Sequence, residues 1–93
     1  MPEIIWSPKA EAAYLAILET TYYFSTAAAL ELDDKLEKLL ERLKKHSYLC
    51  PPTPSLPGLR RCVITKNVSL VYELKGADIH ILLVIDNRME NLL

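Results

Sequence analysis

Apolar and polar residues alternate along positions 59–85, and this two-residue period predicts β-strands rather than helices. We place three strands in this stretch, at residues 59–65, 68–74 and 79–85. Gly76-Ala77 suits a two-residue type II′ turn because glycine stands at the first central position, and Asn67 tolerates the left-handed conformation that a Lys66-Asn67 turn needs. The three strands are therefore expected to form an antiparallel meander.

The register of the meander follows by counting if both turns hold two residues, and it gives two unlike faces. The count gives four apolar pairs: Val63 with Leu70, Leu74 with Ile79, Tyr72 with Ile81 and Leu70 with Leu83. One face is apolar and is expected to lie on the core: Leu59, Val63, Val68, Leu70, Tyr72, Leu74, Ile79, Ile81, Leu83 and Ile85. The other face is mixed: Arg60, Cys62, Ile64, Ser69, Val71, Glu73, His80, Leu82 and Val84. On it Arg60, Glu73 and His80 fall in one row, whereas Arg61 is expected on the core side, facing Tyr72, in a structural role.

A strand and two helices are predicted upstream of the meander. The strand covers residues 3–6, and Ser7-Pro8 after it is a helix start, since serine caps free backbone N–H groups and proline fits the first helical position. We place the helices at residues 8–23 and 26–46. Spacings of three and four make an apolar stripe along the second helix: Ala29, Leu32, Leu36, Leu39 and Leu43. This stripe predicts an intramolecular hairpin rather than a dimerising coiled coil, because the run is short and a partner helix is adjacent.

A proline-rich connector leads from the helices to the meander. Residues 47–58 hold four of the six prolines and are expected to form neither a helix nor a paired strand. Beyond the last strand, we interpret residues 89–93 as a tail. The chain is thus predicted to be a single α+β domain, residues 1–93, in the order β-α-α-β-β-β. Its helical hairpin packs on one face of the sheet and leaves the other face uncovered.

Charge and composition restrict the possible functions. A net charge of −1 and a pI near 6.1 give no general attraction to nucleic acid or to an anionic membrane. No apolar run approaches the ~20 residues needed to cross a bilayer, and the first residues do not have the pattern of a secretory signal. We therefore expect a cytoplasmic protein that does not bind membranes.

The cysteines and histidines indicate no metal site. Cys50 and Cys62 are expected to be reduced thiols, since disulfides are rare in the cytosol, and a bond closing this short loop is the alternative. Two cysteines and two histidines at unrelated spacings make no zinc pattern, and the sequence has no glycine-rich phosphate loop. We expect neither a cofactor nor a metal.

Four short motifs follow one another along the chain: W-S-P before the first helix, P-G-L-R-R at the start of the meander, L-V-Y in its second strand and D-N-R after its last strand. With these motifs the chain resembles the RelE/ParE superfamily of toxins from type II toxin–antitoxin (plasmid stabilisation) systems. The resemblance covers nearly the whole chain, from IIWSPKAEAAYLAIL to SLVYELKGADIHILLVIDNR.

This resemblance implies both a fold and a role. The family fold is a small α/β sandwich in which the first strand lies beside the last, with sheet order 1-4-3-2. Family toxins are held inactive by a co-expressed antitoxin. When freed, ParE-like members inhibit DNA gyrase, whereas RelE-like members cut mRNA in the ribosomal A site.

The residues of a RelE-like nuclease are only partly present. Such nucleases carry basic residues at alternate positions of the first meander strand, where this chain has Arg60 and Cys62. They also carry an arginine before L-V-Y, where this chain has Ser69. The arginine after the last strand is present as Arg88, but the tyrosine or histidine that some members carry near the C-terminus is absent from MENLL.

Glu73 and His80 are the remaining candidates for proton transfer. RNA cleavage by 2′-OH attack needs a base, an acid and cations on the developing phosphorane charge, and guanidinium groups supply only the last of these. Glu73 and His80 are neighbours in the counted register, so the catalytic set of a nuclease would be Arg60, Glu73, His80 and Arg88. The competing interpretation is a charged row that stabilises the sheet by about 0.2–1 kcal/mol per pair.

The uncovered face also carries apolar residues that no layer of this chain is expected to bury: Cys62, Ile64, Val71, Leu82 and Val84. Exposed patches of this kind commonly mark an interaction surface. A segment of an antitoxin is expected to bind here, either as an added strand or as a docked helix. This surface favours protein binding over RNA cleavage.

The sequence therefore predicts a toxin that is neutralised by a cognate antitoxin and acts by protein binding, in a ParE-like manner on DNA gyrase or in a degenerate manner. One alternative is a metal-independent endonuclease that cuts mRNA on the ribosome. The other is a toxin-like fold that has lost toxicity and survives as the partner of its antitoxin.

Overall fold

The computed structural model describes residues 2–87, and its elements follow the predicted order of one strand, two helices and three strands. They are β1 (Ile4–Trp6), α1 (Pro8–Phe24), α2 (Thr26–Lys45), β2 (Leu59–Thr65), β3 (Val68–Lys75) and β4 (Asp78–Asp86). Each boundary lies within one residue of its expected position. Arg88 and the predicted tail at residues 89–93 lie outside the described residues.

The four strands form one mixed sheet in the order β1-β4-β3-β2, which confirms the order that the resemblance implied. The last three strands pair antiparallel as a meander, whereas β1 lies parallel to β4. Ile4 pairs with Ile79 and Trp6 pairs with Ile81. The N-terminal strand therefore completes the sheet beside the last strand, and β2 forms the opposite edge.

A serine starts each helix, and the second serine also ends the first helix. The Ser7 hydroxyl oxygen accepts a hydrogen bond from the Ala10 N–H at 3.0 Å. The Ser25 hydroxyl oxygen accepts from the Ala28 N–H at 3.1 Å, while the Ser25 N–H donates to the Thr21 carbonyl at 2.8 Å. A single residue therefore turns the chain between α1 and α2. In the described part of the chain, no helix is both long enough and apolar enough to cross a membrane.

The core lies between the helical hairpin and one face of the sheet. The predicted apolar stripe of α2 is buried along its length: Ala29, Leu32, Leu36, Leu39 and Leu43. The strands β2, β3 and β4 contribute buried apolar side chains to this core: Cys62, Ile64, Val68, Leu70, Tyr72, Ile79, Ile81 and Val84. Ile4 and Trp6 of β1 pack against them. Each large side chain buried in this way stabilises the fold by about 1.5–3 kcal/mol relative to exposure. The stripe is intramolecular core, as its spacing predicted.

Both turns of the meander have the expected length. The pairs next to them are those that two-residue turns require: Thr65 with Val68, Lys75 with Asp78, Leu74 with Ile79 and Tyr72 with Ile81. Gly76 has a φ of 60°, the left-handed region for which glycine was expected at this turn. The register is therefore as counted close to the turns.

Two β-bulges change the register farther from the turns. Ile64 is an extra residue in β2, and Leu82 is an extra residue in β4. Two predicted pairs are therefore wrong: Val63 faces Ser69 instead of Leu70, and Leu70 faces Val84 instead of Leu83.

One extra residue moves every side chain beyond it to the other face of the sheet. Four residues predicted for the core lie on the opposite face: Leu59, Val63, Leu83 and Ile85. Three residues predicted for the opposite face lie in the core: Cys62, Ile64 and Val84. In β3, which has no bulge, both faces are as predicted.

The proline-rich connector lies along the outer edge of β2. Pro52 forms an isolated antiparallel bridge with Arg60, and the Arg61 N–H donates to the Pro51 carbonyl at 3.1 Å. Proline lacks a donor but keeps its carbonyl, so a backbone N–H on this edge still finds an acceptor. The expectation that the connector pairs with no strand is therefore wrong at Pro52.

Candidate functional site

We call the side of the sheet that faces away from the helices the open face. The register and the core contacts place the following side chains on it: Ile5, Leu59, Arg61, Val63, Ser69, Val71, Glu73, His80, Leu83 and Ile85. The middle of this face is buried, since Ser69 is 0% and Val71 is 1% exposed, whereas Val63 at the edge is 66% exposed. The open face is not the continuous apolar patch that the alternation predicted.

Glu73 and His80 lie directly opposite each other on β3 and β4, as counting from the turn predicted. Ile5 pairs with His80 on the other side, and Leu59 pairs with Glu73. The Glu73 carboxylate forms an ion pair with the Lys75 ammonium at 3.5 Å. Glu73 and His80 therefore lie between two apolar residues of the neighbouring strands, and the Glu73 carboxylate already has Lys75 as its ion-pair partner. Within residues 2–87, no three histidine, cysteine, aspartate or glutamate side chains are grouped so that they could hold a metal ion.

Arg60, which the sequence placed in one row with this pair, does not lie on the open face. It pairs with Tyr72, whose side chain is fully buried in the core. Its Nη1 donates to the Cys50 carbonyl at 2.6 Å, and its guanidinium carbon lies 4.8 Å from the centroid of the Tyr48 ring. The predicted row is therefore wrong. The bulge at Ile64 turns Arg60 to the helix side, where it holds the connector.

Arg61 occupies the open face instead, opposite Val71. Its Nη2 donates to Asn87 Oδ1 at 2.9 Å, and the Ser69 hydroxyl donates to the same oxygen at 2.8 Å. Asn87 Nδ2 in turn donates to the Lys66 carbonyl at 3.1 Å. This network joins β2, β3, the end of β4 and the turn between β2 and β3.

The expectation that Arg61 faces Tyr72 on the core side is wrong for the same reason as the expectation for Arg60. Adjacent residues of a strand point to opposite faces, so two successive arginines place one guanidinium on each. That signal was present in the sequence. The bulge at Ile64 decides which arginine faces which way.

The five residues predicted to bind a partner do not form a common surface. Three of them are buried beneath the helices: Cys62, Ile64 and Val84. Val71 lies on the open face but is almost fully buried. Leu82 lies half-buried in the β4 bulge, where its carbonyl accepts a hydrogen bond from the Ser7 hydroxyl at 3.2 Å. The prediction of an exposed apolar patch is therefore wrong for these three residues, because the bulges turn their side chains to the helix side of the sheet.

A disulfide joins Cys50 of the connector to Cys62 of β2, with the Cα atoms 5.3 Å apart. The expectation of two reduced thiols is wrong in this structure. On the same side of the sheet, the Tyr72 hydroxyl donates to the Ser47 carbonyl at 2.6 Å, and burial raises the pKa of Tyr72, so this donor keeps its proton. Together with Arg60, these groups fix the connector to the sheet.

Highly exposed aromatic side chains lie at the other end of the helices. Tyr22, Tyr23 and Phe24, which we call the aromatic tip, end α1. The rings of Tyr23 and Phe24 meet edge to face, with centroids 5.2 Å apart. None of the predicted sites included this surface. The available signal was the absence of charged residues between Glu19 and Glu31.

The family model described as ParE toxin of type II toxin-antitoxin system, parDE, matches residues 4–91 of this chain. Among curated proteins, no sequence matches this chain.

Several solved structures share the fold at low sequence identity. A chain of the chromosomal ParDE TA system from P. aeruginosa is 22% identical, with a TM-score of 0.75 over 92% of this chain and 96% of its own. A copper-bound mutant toxin from Helicobacter pylori is 19% identical, with a TM-score of 0.69 over 95% and 97% of the two chains. A chain of the YoeB-YefM complex from Staphylococcus aureus is 18% identical, with a TM-score of 0.60 over 91% and 95%. At these identities the likeness establishes the fold.

Proposed function

Because this chain belongs to the family of ParE toxins of type II toxin–antitoxin systems, we propose that it acts by binding a protein target, DNA gyrase, and that it does not cleave RNA. A cognate antitoxin holds it inactive. The ParDE system of P. aeruginosa and the YoeB-YefM complex, which share its fold, are by name a toxin–antitoxin system and a two-protein complex. Their pairing supports an antitoxin partner for this chain.

The position of Arg60 is the observation that carries this proposal. A nuclease needs a cation directed at the phosphate whose charge develops during cleavage. The Arg60 guanidinium is instead directed at the Cys50 carbonyl and the Tyr48 ring. It lies on the helix side of the sheet, so it reaches no phosphate on the open face unless the connector detaches.

The charged groups that the open face does carry have partners within this chain. Glu73 pairs with Lys75, and Arg61 donates to Asn87. Guanidinium does not deprotonate, so on this face proton transfer near neutral pH rests on Glu73 and His80. A carboxylate–imidazole pair without Arg60 beside it supports a role in stabilising the sheet.

A DNA supercoiling assay with purified gyrase tests the proposal. The free toxin is expected to inhibit supercoiling, and the antitoxin encoded by an adjacent reading frame is expected to restore it. A Lys38→Ala variant, which alters only an exposed ion pair on α2, serves as the folded control. In a translating extract, mRNA ends are expected to be the same with and without the toxin. Normal supercoiling together with new mRNA ends would contradict the proposal.

We propose that the antitoxin segment binds the open face. The residues at the edges of this face differ from the partner-binding residues that the strand alternation predicted. Val63 is exposed on β2, and Ile5 is exposed on β1. Of the five residues first chosen, only Leu82, which is half-buried, stays in this proposal, since Val71 is already buried within this chain. A strand or helix lying across the sheet would cover these apolar groups. We expect Val63→Asp to weaken antitoxin binding at least about tenfold, with Leu56→Asp on the connector unchanged; equal weakening by both would contradict this site.

One observation favours mRNA cleavage as a second candidate. Glu73 and His80 are neighbours, as general acid–base chemistry requires, and Arg61 lies on the same face. The catalytic set would then be Arg61, Glu73 and His80 with Arg88, and Arg60 would have no part in it. Mapping of mRNA ends after induction separates the two candidates, because His80→Ala would abolish cleavage by a nuclease. A chain that binds its antitoxin but neither arrests growth nor inhibits gyrase would match the third, non-toxic alternative.

A further inference from the structure

The connector covers part of the outer edge of β2. The Thr53 N–H donates to the Leu59 carbonyl at 2.9 Å, and the Arg61 N–H donates to the Pro51 carbonyl at 3.1 Å. These two hydrogen bonds occupy backbone groups on the side of β2 that faces away from β3. Because an uncovered edge strand is a template for pairing with another chain, the connector protects this stretch of the edge.

The prolines of the connector allow it to cover this edge without extending the sheet. Pro51, Pro52 and Pro54 have no N–H that could pair with a further strand, and all three are exposed. A strand that approaches from solvent therefore meets prolines instead of the donors and acceptors of β2. The edge between Leu59 and Arg61 is closed while the connector is in place.

The disulfide is what prevents the connector from leaving this edge. Cys50 and Cys62 are the two cysteines of the sequence, so their bond has no alternative partner within the chain. The hydrogen bonds from Arg60 and Tyr72 to the connector are noncovalent, and contacts of this kind open and close locally in a folded protein. The covalent bond ties the connector to a core residue, because Cys62 is 2% exposed.

The disulfide is open to reduction from the side of the connector. Cys50 is 7% exposed, and its neighbours Leu49 and Pro51 are exposed. The rate of thiol–disulfide exchange depends on the access of the attacking thiolate to sulfur. Because Cys50 lies beneath a surface segment and not beneath a layer of the core, a reductant reaches the bond from this side.

We propose that the Cys50–Cys62 bond is a redox switch that controls whether the connector can leave the edge of β2. A dithiol supplies two electrons and two protons, so the S–S bond breaks, two thiols form and the dithiol becomes a disulfide. The reduced connector is held by its noncovalent contacts, and its local opening exposes the edge between Leu59 and Arg61. Oxidation by a disulfide compound reverses the reaction and closes the edge.

Hydrogen exchange of the purified chain, followed by NMR before and after reduction with dithiothreitol, tests this switch. The Thr53 and Arg61 amides are the two probes, because both donate to hydrogen bonds between the connector and β2. We expect their exchange to become at least about 30-fold faster on reduction, because the bond no longer restricts the connector. The Ser7 amide, which donates to the Ile81 carbonyl on the opposite side of the sheet, is the reference and should change less than about threefold. Oxidised glutathione should restore slow exchange at both probes.

Leu56→Ser is the matched control, because it changes an exposed connector residue, keeps both cysteines and should respond to reduction as the wild type does. Cys50→Ala with Cys62→Ala should show fast exchange at both probes without reductant and no response to dithiothreitol. Circular dichroism verifies that the reduced chain and each variant are folded.

Three results would overturn the switch. Unchanged exchange at the two probe amides would show that the connector stays on the edge without the bond. Equal acceleration at the probes and at the reference amide would show that the bond stabilises the whole fold and not the connector alone. Loss of the folded state on reduction of the wild type would do the same.

Discussion

The two ends of α2 differ in how firmly they are joined to the rest of the fold. At the N-terminal end, Ser25 alone turns the chain, and the aromatic tip beside it faces solvent. At the C-terminal end, the connector is joined to the sheet by the Cys50–Cys62 bond, by Arg60 and by the Tyr72 hydroxyl. The arginine that the sequence pattern suggested for catalysis thus contacts the connector, while the exposed aromatic residues lie at the opposite end. The difference indicates a molecule whose free surface is suited to binding.

Removal of the disulfide is expected to have the largest effect on the free energy of unfolding. The bond spans a sequence separation of 12 residues, and the loop-closure entropy for such a length corresponds to about 3 kcal/mol. We expect Cys50→Ala with Cys62→Ala to lower the free energy of unfolding by about this amount, measured by urea denaturation. At the other end, Tyr23→Ser with Phe24→Ser should change it by less than about 0.5 kcal/mol. If both pairs of substitutions lowered the free energy of unfolding equally, the two ends of α2 would not differ in how firmly they are joined to the fold.

Arg60→Ala is expected to have the next largest effect. It removes a hydrogen bond from a charged donor to the Cys50 carbonyl and the contact with the Tyr48 ring, so the free energy of unfolding should fall by about 2 kcal/mol. Arg60→Lys should recover part of this loss, because an ammonium keeps the charge but not the planar contact. Urea denaturation measures both, and growth arrest per folded molecule should not change. An Arg60→Ala variant that keeps its full stability but no longer arrests growth would show that Arg60 takes part in the toxin's function.

Tyr14 joins α1 to α2 between the two ends, and its substitution is expected to have a smaller effect than that of Arg60. Its hydroxyl donates to Asp33 Oδ1 at 2.6 Å, and burial with the Asp33 carboxylate raises its pKa above the usual 10.0. The folded state therefore holds this proton more tightly than the unfolded state, so the stabilisation is complete below pH 10 and is lost as the pH rises above it. We expect Tyr14→Phe to cost about 1 kcal/mol at pH 7 and the difference from wild type to narrow above pH 10. Parallel stability curves would contradict this.

The elements of the fold were predictable because their signals are local. Ser7 and Ser25 cap the helices, and both turns have the expected length of two residues. Gly76 is left-handed as expected, whereas the left-handed conformation expected of Asn67 is wrong, because among the described residues only glycines have a positive φ. The pairing of Glu73 with His80 was also predictable, since it lies between the turn at Gly76 and the bulge at Leu82, where counting still holds.

The direction of β2 was not predictable from its alternation. Both of its faces carry apolar residues, Leu59 and Val63 on one side and Cys62 and Ile64 on the other, so the pattern fits either register. The bulge that chooses between them depends on how the strand packs beneath the helices. Everything beyond that bulge was missed with it: the role of Arg60, the burial of Cys62 and hence the disulfide.

We propose that this toxin acts by binding and that its Glu73–His80 pair performs no chemistry. Induction of Glu73→Gln with His80→Gln in a bacterial host, at matched protein levels and with folding verified by urea denaturation, tests this most directly. We expect growth arrest equal to that of the wild type. Loss of growth arrest in a variant of unchanged stability would contradict the claim and place the chemistry on the open face.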